Sequence, residues 1–309
     1  MVTHTSLDAQ GSAVAFADDW QQVLVSNDPR YLIYPTCERG RQADLLEWIK
    51  AQQIDAILAA HAITHGAVLE YGCGAAGISL YLAQRGYHCH LCDLSVHALH
   101  VAERNRERHA PHAPIVSASV ADGLALPYAD QSFDVVMSYG LLEHFAEEPL
   151  HRLLTETIRV LKPGGLFLAD IVPAAEVLNA RTVGLAISYV GSVVAHILRG
   201  KWQSVPALFR QYFDYYYESR YDADAWLTIL HQYPLTNIVL DVCRPFPLLA
   251  LSGTWEQGYT MLLRWAVPLQ QRFDQANTWF TRRWGWMYLV HATKLVAPDG
   301  QPAADPHPR

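Results

Sequence analysis

The feature that most constrains this chain is a short apolar run, Val68-Leu69-Glu70-Tyr71, that enters Gly72, Gly74 and Gly77 in GxGxxG spacing and continues as a helical pattern. Glycine adopts left-handed backbone angles without penalty and leaves no side chain between the backbone and a ligand. A strand that turns into a helix through such a loop predicts an α/β layer with a nucleotide site at the turn. Asp93 lies about twenty residues on, where a carboxylate can accept from both hydroxyls of a ribose. More than one class of nucleotide site shares this spacing.

The rhythm around the loop agrees. Apolar runs at 67–71, 87–92, 115–119, 133–138 and 165–171 alternate with helical stretches at Ala76–Gln84, Ser95–Arg108 and Pro149–Leu161, the pattern of a parallel sheet covered by helices. Ser95 is placed to cap its helix, and Lys162-Pro163-Gly164-Gly165 to stop the third. One or two helices precede the first strand, between Gly40 and Ala62, after an arm carrying Tyr31 and Tyr34. Strands at Asn237–Cys243 and Trp286–Val290 complete the sheet, separated by a helical stretch, Trp255–Arg282, interrupted at Pro268. Seven strands result. The expected division is a disordered N-terminus (1–16), a helical arm (17–66), a Rossmann-like core (67–173), a helical insertion (174–235), closing strands and helix (236–297) and a disordered tail (298–309).

Composition narrows the partners. A net charge of −7 with four lysines argues against a nucleic-acid surface and for a small-molecule partner. Five scattered cysteines and no basic-apolar leader point to a reducing, cytoplasmic location. Cys89 and Cys92 form a CxxC without a second ligand pair at zinc-finger spacing, so they read as ordinary strand thiols and no metal is expected.

Further motifs follow in order: Asp93-Leu94-Ser95; Ser119-Val120-Ala121-Asp122-Gly123; Leu126-Pro127; Phe133-Asp134-Val135-Val136; Gly140-Leu141-Leu142-Glu143-His144-Phe145; and Arg159-Val160-Leu161-Lys162-Pro163-Gly164-Gly165. Together with the glycine loop they resemble class I methyltransferases that use S-adenosylmethionine (SAM), over roughly Tyr31 to Pro173 and more loosely beyond. The resemblance implies a Rossmann-like, mostly parallel seven-stranded sheet with helices on both faces, and release of S-adenosylhomocysteine as product. It implies that Gly72, Gly74 and Gly77 shape the loop against SAM, and that Glu70 supports the loop and the methionine amino group. Asp93, beside Leu94, takes the ribose. Asp122 takes the adenine amino group with the Gly123 amide beside it, and the backbone near Ser138 and Tyr139 faces the methionine part. The ring of Tyr71 or Tyr139 is available to the sulfonium. Each acid also has a plainer reading: Glu70 as a strand-end acid, Asp93 as a cap with Ser95, Asp122 as a turn residue.

His144 is the candidate general base, with Glu143 to orient it, although a loop-anchoring role suits both as well. Ala75 and Ala76 stand where the family often has threonine and glycine. The insertion is the other departure. Thr182–Leu198 holds 17 uncharged residues, with Gly184, Ser188, Ser192 and His196 recurring every fourth position, which reads as an amphipathic lid helix in preference to a membrane span; peripheral membrane contact is open but not favoured. Ser204 before Pro206 and Asp222 before Ala223 mark helix starts, and Pro234 a stop. Ten aromatic residues between Trp202 and Tyr233 either pack the insertion onto the sheet or line a pocket for an apolar or aromatic acceptor. The same fold performing a non-methylating reaction such as a cyclisation, and an NAD-dependent oxidoreductase, are the competing functions.

Overall fold

A computed structural model describes residues 19–26, 28, 31–38, 40–173, 178–213, 218–219, 221–276 and 278–296. The strands are β1 (Ala67–Tyr71), β2 (His88–Asp93), β3 (Ile115–Val120), β4 (Phe133–Tyr139), β5 (Leu161–Ile171), β6 (Leu235–Cys243) and β7 (Met287–Lys294). They form one sheet in the order β3-β2-β1-β4-β5-β7-β6. The first five pair in parallel, and β7 runs antiparallel between β5 and β6. A dinucleotide-binding sheet has the order 3-2-1-4-5-6. The antiparallel strand wedged between the fifth and sixth departs from it.

The helices are α1 (Gln42–Ala60), α2 (Gly77–Ala83), α3 (Val96–His109), α4 (Glu147–Val160), α5 (Ala180–Leu198), α6 (Val205–Phe213), α7 (Ala223–Leu230), α8 (Gly253–Ala276) and α9 (Trp279–Trp284). Side chains alternate across a strand, and the alternation builds two cores. Leu69, Val136 and Phe167 join Leu150, Leu154 and Trp226 from α4 and α7 on one face. Val68, Val135 and Leu166 join Ile54, Leu80 and Ala102 from α1, α2 and α3 on the other. Helices therefore cover both faces. Cys89 belongs to the second core and Cys92 to the first, so the CxxC thiols point to opposite sides of the sheet. Burial pushes the Cys92 thiol up to about 12.

Several boundaries moved for identifiable reasons. Residues 42–60 form a single helix. Ser95 caps α3, with its side chain accepting from Ala98 N, and Asp222 caps α7 in the same way. Gly164 takes the left-handed angle expected of it (φ +76°), but the turn it makes lies inside β5, which begins directly at Leu161. α5 starts two residues before Thr182, because Asn179 and Thr182 form a reciprocal capping box. Pro268 does not interrupt its helix: α8 continues through it, and a second capping box, Thr278 with Thr281, starts α9. Residues 1–16 and 298–309, and the run Tyr215-Tyr216-Tyr217, lie outside the described residues.

Candidate functional site

In open α/β sheets the ligand crevice lies beyond the carboxyl ends of the strands, where the strand order reverses. Here that point falls between β1 and β4. A cavity of about 860 Å³ occupies it. Its walls include Glu70, Gly72, Gly74, Gly77, Asp93, Leu94, Asp122, Gly123, Tyr139 and His144. All nine residues carried over for the cofactor thus share one wall system, and His144 joins them.

The loop after β1 owes its shape to the glycines. Gly72 and Gly74 have φ of +63° and +49°, and a Cβ on Gly77 would lie 2.7 Å from the Ile33 carbonyl. Ala76 also takes a left-handed angle, φ +54°, which explains why a glycine suits that position. The buried Asp93 carboxylate secures the loop: Oδ2 accepts from Gly74 N at 3.0 Å and Oδ1 from Ser95 N at 2.9 Å. Burial raises its pKa, against the pull of those amides. Asp93 therefore braces the backbone of Ser95, the residue that caps α3, while facing the cavity. Asp122 behaves likewise, accepting from Leu124 N at 2.9 Å on the cavity rim. Glu70 is buried and takes a hydrogen bond from Ser79 Oγ; burial pushes its carboxyl up to about 7.

Glu143 is not at the wall. It is buried, with Oε1 accepting from Val172 N at 3.2 Å, Oε2 without a hydrogen-bond partner and a carboxyl pushed up by burial to about 8. Its backbone carbonyl accepts from Ser219 N at 2.6 Å. Those contacts tie the turn after β4 to the end of β5 and to the insertion, rather than orienting His144. The two tyrosines also differ. The Tyr71 hydroxyl pairs with Thr157 Oγ1 at 3.0 Å inside the α4 core, whereas the Tyr139 ring faces the Lys50 ammonium at 4.4 Å from its centroid.

Lys50 belongs to a group that sequence reasoning missed. Its Nζ lies 2.8 Å from both Asp170 Oδ2 and Glu47 Oε1. Burial lowers its pKa, but the Asp170 and Glu47 carboxylates outweigh burial and hold it above the ordinary value. Asp170 Oδ1 in turn accepts from Gly140 N at 2.6 Å. The signal was a lysine among Leu46, Ile49 and Ile54 on the core face of α1. The arm was missed too: Trp20, Tyr31 and Ile33 line the cavity, and a Cβ on Gly74 would lie 2.8 Å from the Trp20 ring. Asn105 Nδ2 straps the arm to the loop, donating to Ile33 O at 2.8 Å and Ala75 O at 2.7 Å. Among the described residues, none of the insertion lines the cavity. Trp226 is instead fully buried in the core and meets Tyr221 edge-on at 5.6 Å, while Trp202 and Phe209 are exposed.

Set beside known proteins, residues 69–169 match the methyltransferase domain family. Residues 69–169 are thus a methyltransferase domain. Over 107 residues the chain is 37% identical to the methyltransferase GfsG of Streptomyces halstedii, covering 34% of this chain and 37% of that protein. Over 102 residues it is 39% identical to a demethylmenaquinone methyltransferase of Corynebacterium glutamicum, covering 32% and 38%. The match thus spans under half the length of these relatives. Across 94% of this chain and 98% of the other, the fold resembles that of the [4+2]-cyclase SpnF, with TM-score 0.53 and 18% identity. The methyltransferase domain covers β1 to β5 but stops short of the insertion and of the β6-β7 pair.

Proposed function

We propose that the chain transfers a methyl group from SAM to a small-molecule acceptor in the cytoplasm. The observation that carries this reading is the convergence of Glu70, the glycine loop, Asp93, Asp122 and Tyr139 on one cavity. The residues suit the donor at each end. Asp93 has lone pairs left for ribose hydroxyls after serving two amides, and the loop glycines let the backbone turn tightly along the cavity wall against Leu141, Trp20 and the Ile33 carbonyl. An α-amino acid moiety is a zwitterion; Glu70 and Asp170 offer acceptors for its ammonium, and Lys50 a cation for its carboxylate. SAM supplies an electrophilic methyl group on a sulfonium.

The chain's own task is then to hold the acceptor in line and keep water out. Trp20 and Tyr31 cover the cavity from the arm, and Leu141, Phe145 and Val172 give it an apolar side. That side supports an apolar or aromatic acceptor, and one relative named for demethylmenaquinone fits a ring-bearing one. For a hydroxyl acceptor, His144 is the base within the wall. The five cysteines, all free thiols, support a reducing location.

Calorimetry with SAM tests the donor site. Replacing Asp93 with alanine should weaken binding about 10- to 100-fold, as expected for lost hydrogen bonds to a charged acceptor; equal affinity would remove Asp93 from the site. Incubation with SAM and fractionated cell extract tests the transfer. SAM binding without a methylated product in any fraction would favour a non-methylating reaction on this fold, and binding of NAD in place of SAM would overturn the proposal.

A further inference from the structure

Helices α5 and α8 present their apolar sides outward. α5 buries Ala180, Gly184 and Ser188, and exposes Ile187, Val190, Val194 and Ile197. α8 buries Thr260, Gln270 and Asp274 beside Leu263, and exposes Met261, Leu262, Trp265 and Leu269. A helix on a water-facing surface has the opposite arrangement. The buried side of α5 meets the segment that leads into α8: Ser188 Oγ accepts from Ala250 N at 2.9 Å, three residues before α8 begins. Exposed apolar surface on this scale marks an interaction site.

Charge identifies the partner. Segments 180–213 and 253–284 contain eight arginines and lysines against two carboxylates, in a chain of net charge −7; Arg181 and Arg282 pair with Glu218 and Asp224 outside those segments, and Arg199, Lys201, Arg272 and Arg283 stand exposed. Of those two, Asp274 is buried and Glu256 accepts from Gln42 N. Trp255, Trp265 and Trp279 stand 79%, 82% and 77% exposed among these groups. Exposed apolar stripes, tryptophans and basic side chains carried by the same two helices and their flanks are what an anionic bilayer surface selects. A second copy of the chain would bring two basic patches together, which repel. Nor does α5 leave the domain as a span, since Ser188 and a Ser192–Tyr212 hydrogen bond at 2.9 Å tie its small-residue side to the protein.

We propose that the α5 and α8 faces dock this protein on the surface of an anionic phospholipid bilayer. The surface lies outside the cavity, so the inference stands whether or not the cavity binds SAM.

Flotation of the full chain with vesicles of phosphatidylcholine alone, or mixed with phosphatidylglycerol, tests it. Binding is expected to the mixed vesicles and to fall with salt. L262S/W265S should reduce it about tenfold or more, while R272E/R283E should abolish the preference for phosphatidylglycerol. Circular dichroism melts establish that both variants are folded. Failure to float with the mixed vesicles, or flotation that neither variant changes, would overturn the proposal. So would a concentration-dependent dimer that L262S/W265S dissolves, which would assign the face to a second copy.

Discussion

At the scale of single residues, Asp93, Asp122 and Glu143 hold backbone amides, and of these three Asp93 and Asp122 also line the cavity wall. Asp93 serves two amides, Asp122 one, and Glu143 fastens Val172 from a buried position. Glu143 provides a pH test. Its carboxyl has an ordinary value of 4.5 and is pushed by burial to about 8 in the folded chain. Below 4.5 both states hold the proton. Between 4.5 and about 8 the folded state keeps it while the unfolded state releases it, so this group's contribution to stability falls as pH rises through that window. Glu143→Gln removes the titration, and melting temperatures should show its advantage over the parent growing across the same window, by on the order of a few kcal/mol in all. A constant difference at every pH would show that Glu143 is not a buried acid. The sequence placed Glu143 correctly after β4 but suggested a partner, His144, that the side chain does not meet. Neighbours in sequence on a tight turn need not face the same way.

At the scale of elements, the glycine loop, α2 and α3 were legible because their local signals are strong: left-handed glycines, a serine cap and uninterrupted apolar periodicity. The arm was not, since nothing in residues 19–38 announces which loop they cross. Asn105 supplies that contact from α3 with two backbone acceptors. Asn105→Ala should leave two half-buried carbonyls without their donor, costing about 1 kcal/mol, and should free the arm locally. Hydrogen exchange at residues 32–35 should accelerate and SAM should dissociate about tenfold faster. Unchanged protection there would show that the arm is held by other contacts, such as the Tyr34–His109 stack at 5.6 Å. The insertion illustrates the reverse case. Its helices were expected as a cover for the acceptor, yet Tyr221, Trp226 and Tyr233 pack against the sheet core, Trp202 and Phe209 stand exposed, and the arm lines the cavity.

At the scale of the whole molecule, the site is assembled from segments far apart in sequence, so a ligand that fills it should stabilise the fold as a unit. At a hundredfold excess over its dissociation constant, SAM should add about 2.7 kcal/mol, raising the melting temperature by roughly 5–10 °C. S-adenosylhomocysteine should do the same and NAD should not; a shift with NAD alone would reassign the cavity. The sequence by itself determined the order of strands and helices, the glycine turn and the acid at the end of β2, because each is written in contiguous residues whose propensities agree. Only the tertiary structure decided that Lys50 meets Asp170 and Glu47 in front of Tyr139, that Trp20 rests on Gly74, and that α5 and α8 turn their apolar sides outward. Those facts depend on which face of one element packs against another, and that choice is made by the summed burial of the whole chain rather than by any local pattern.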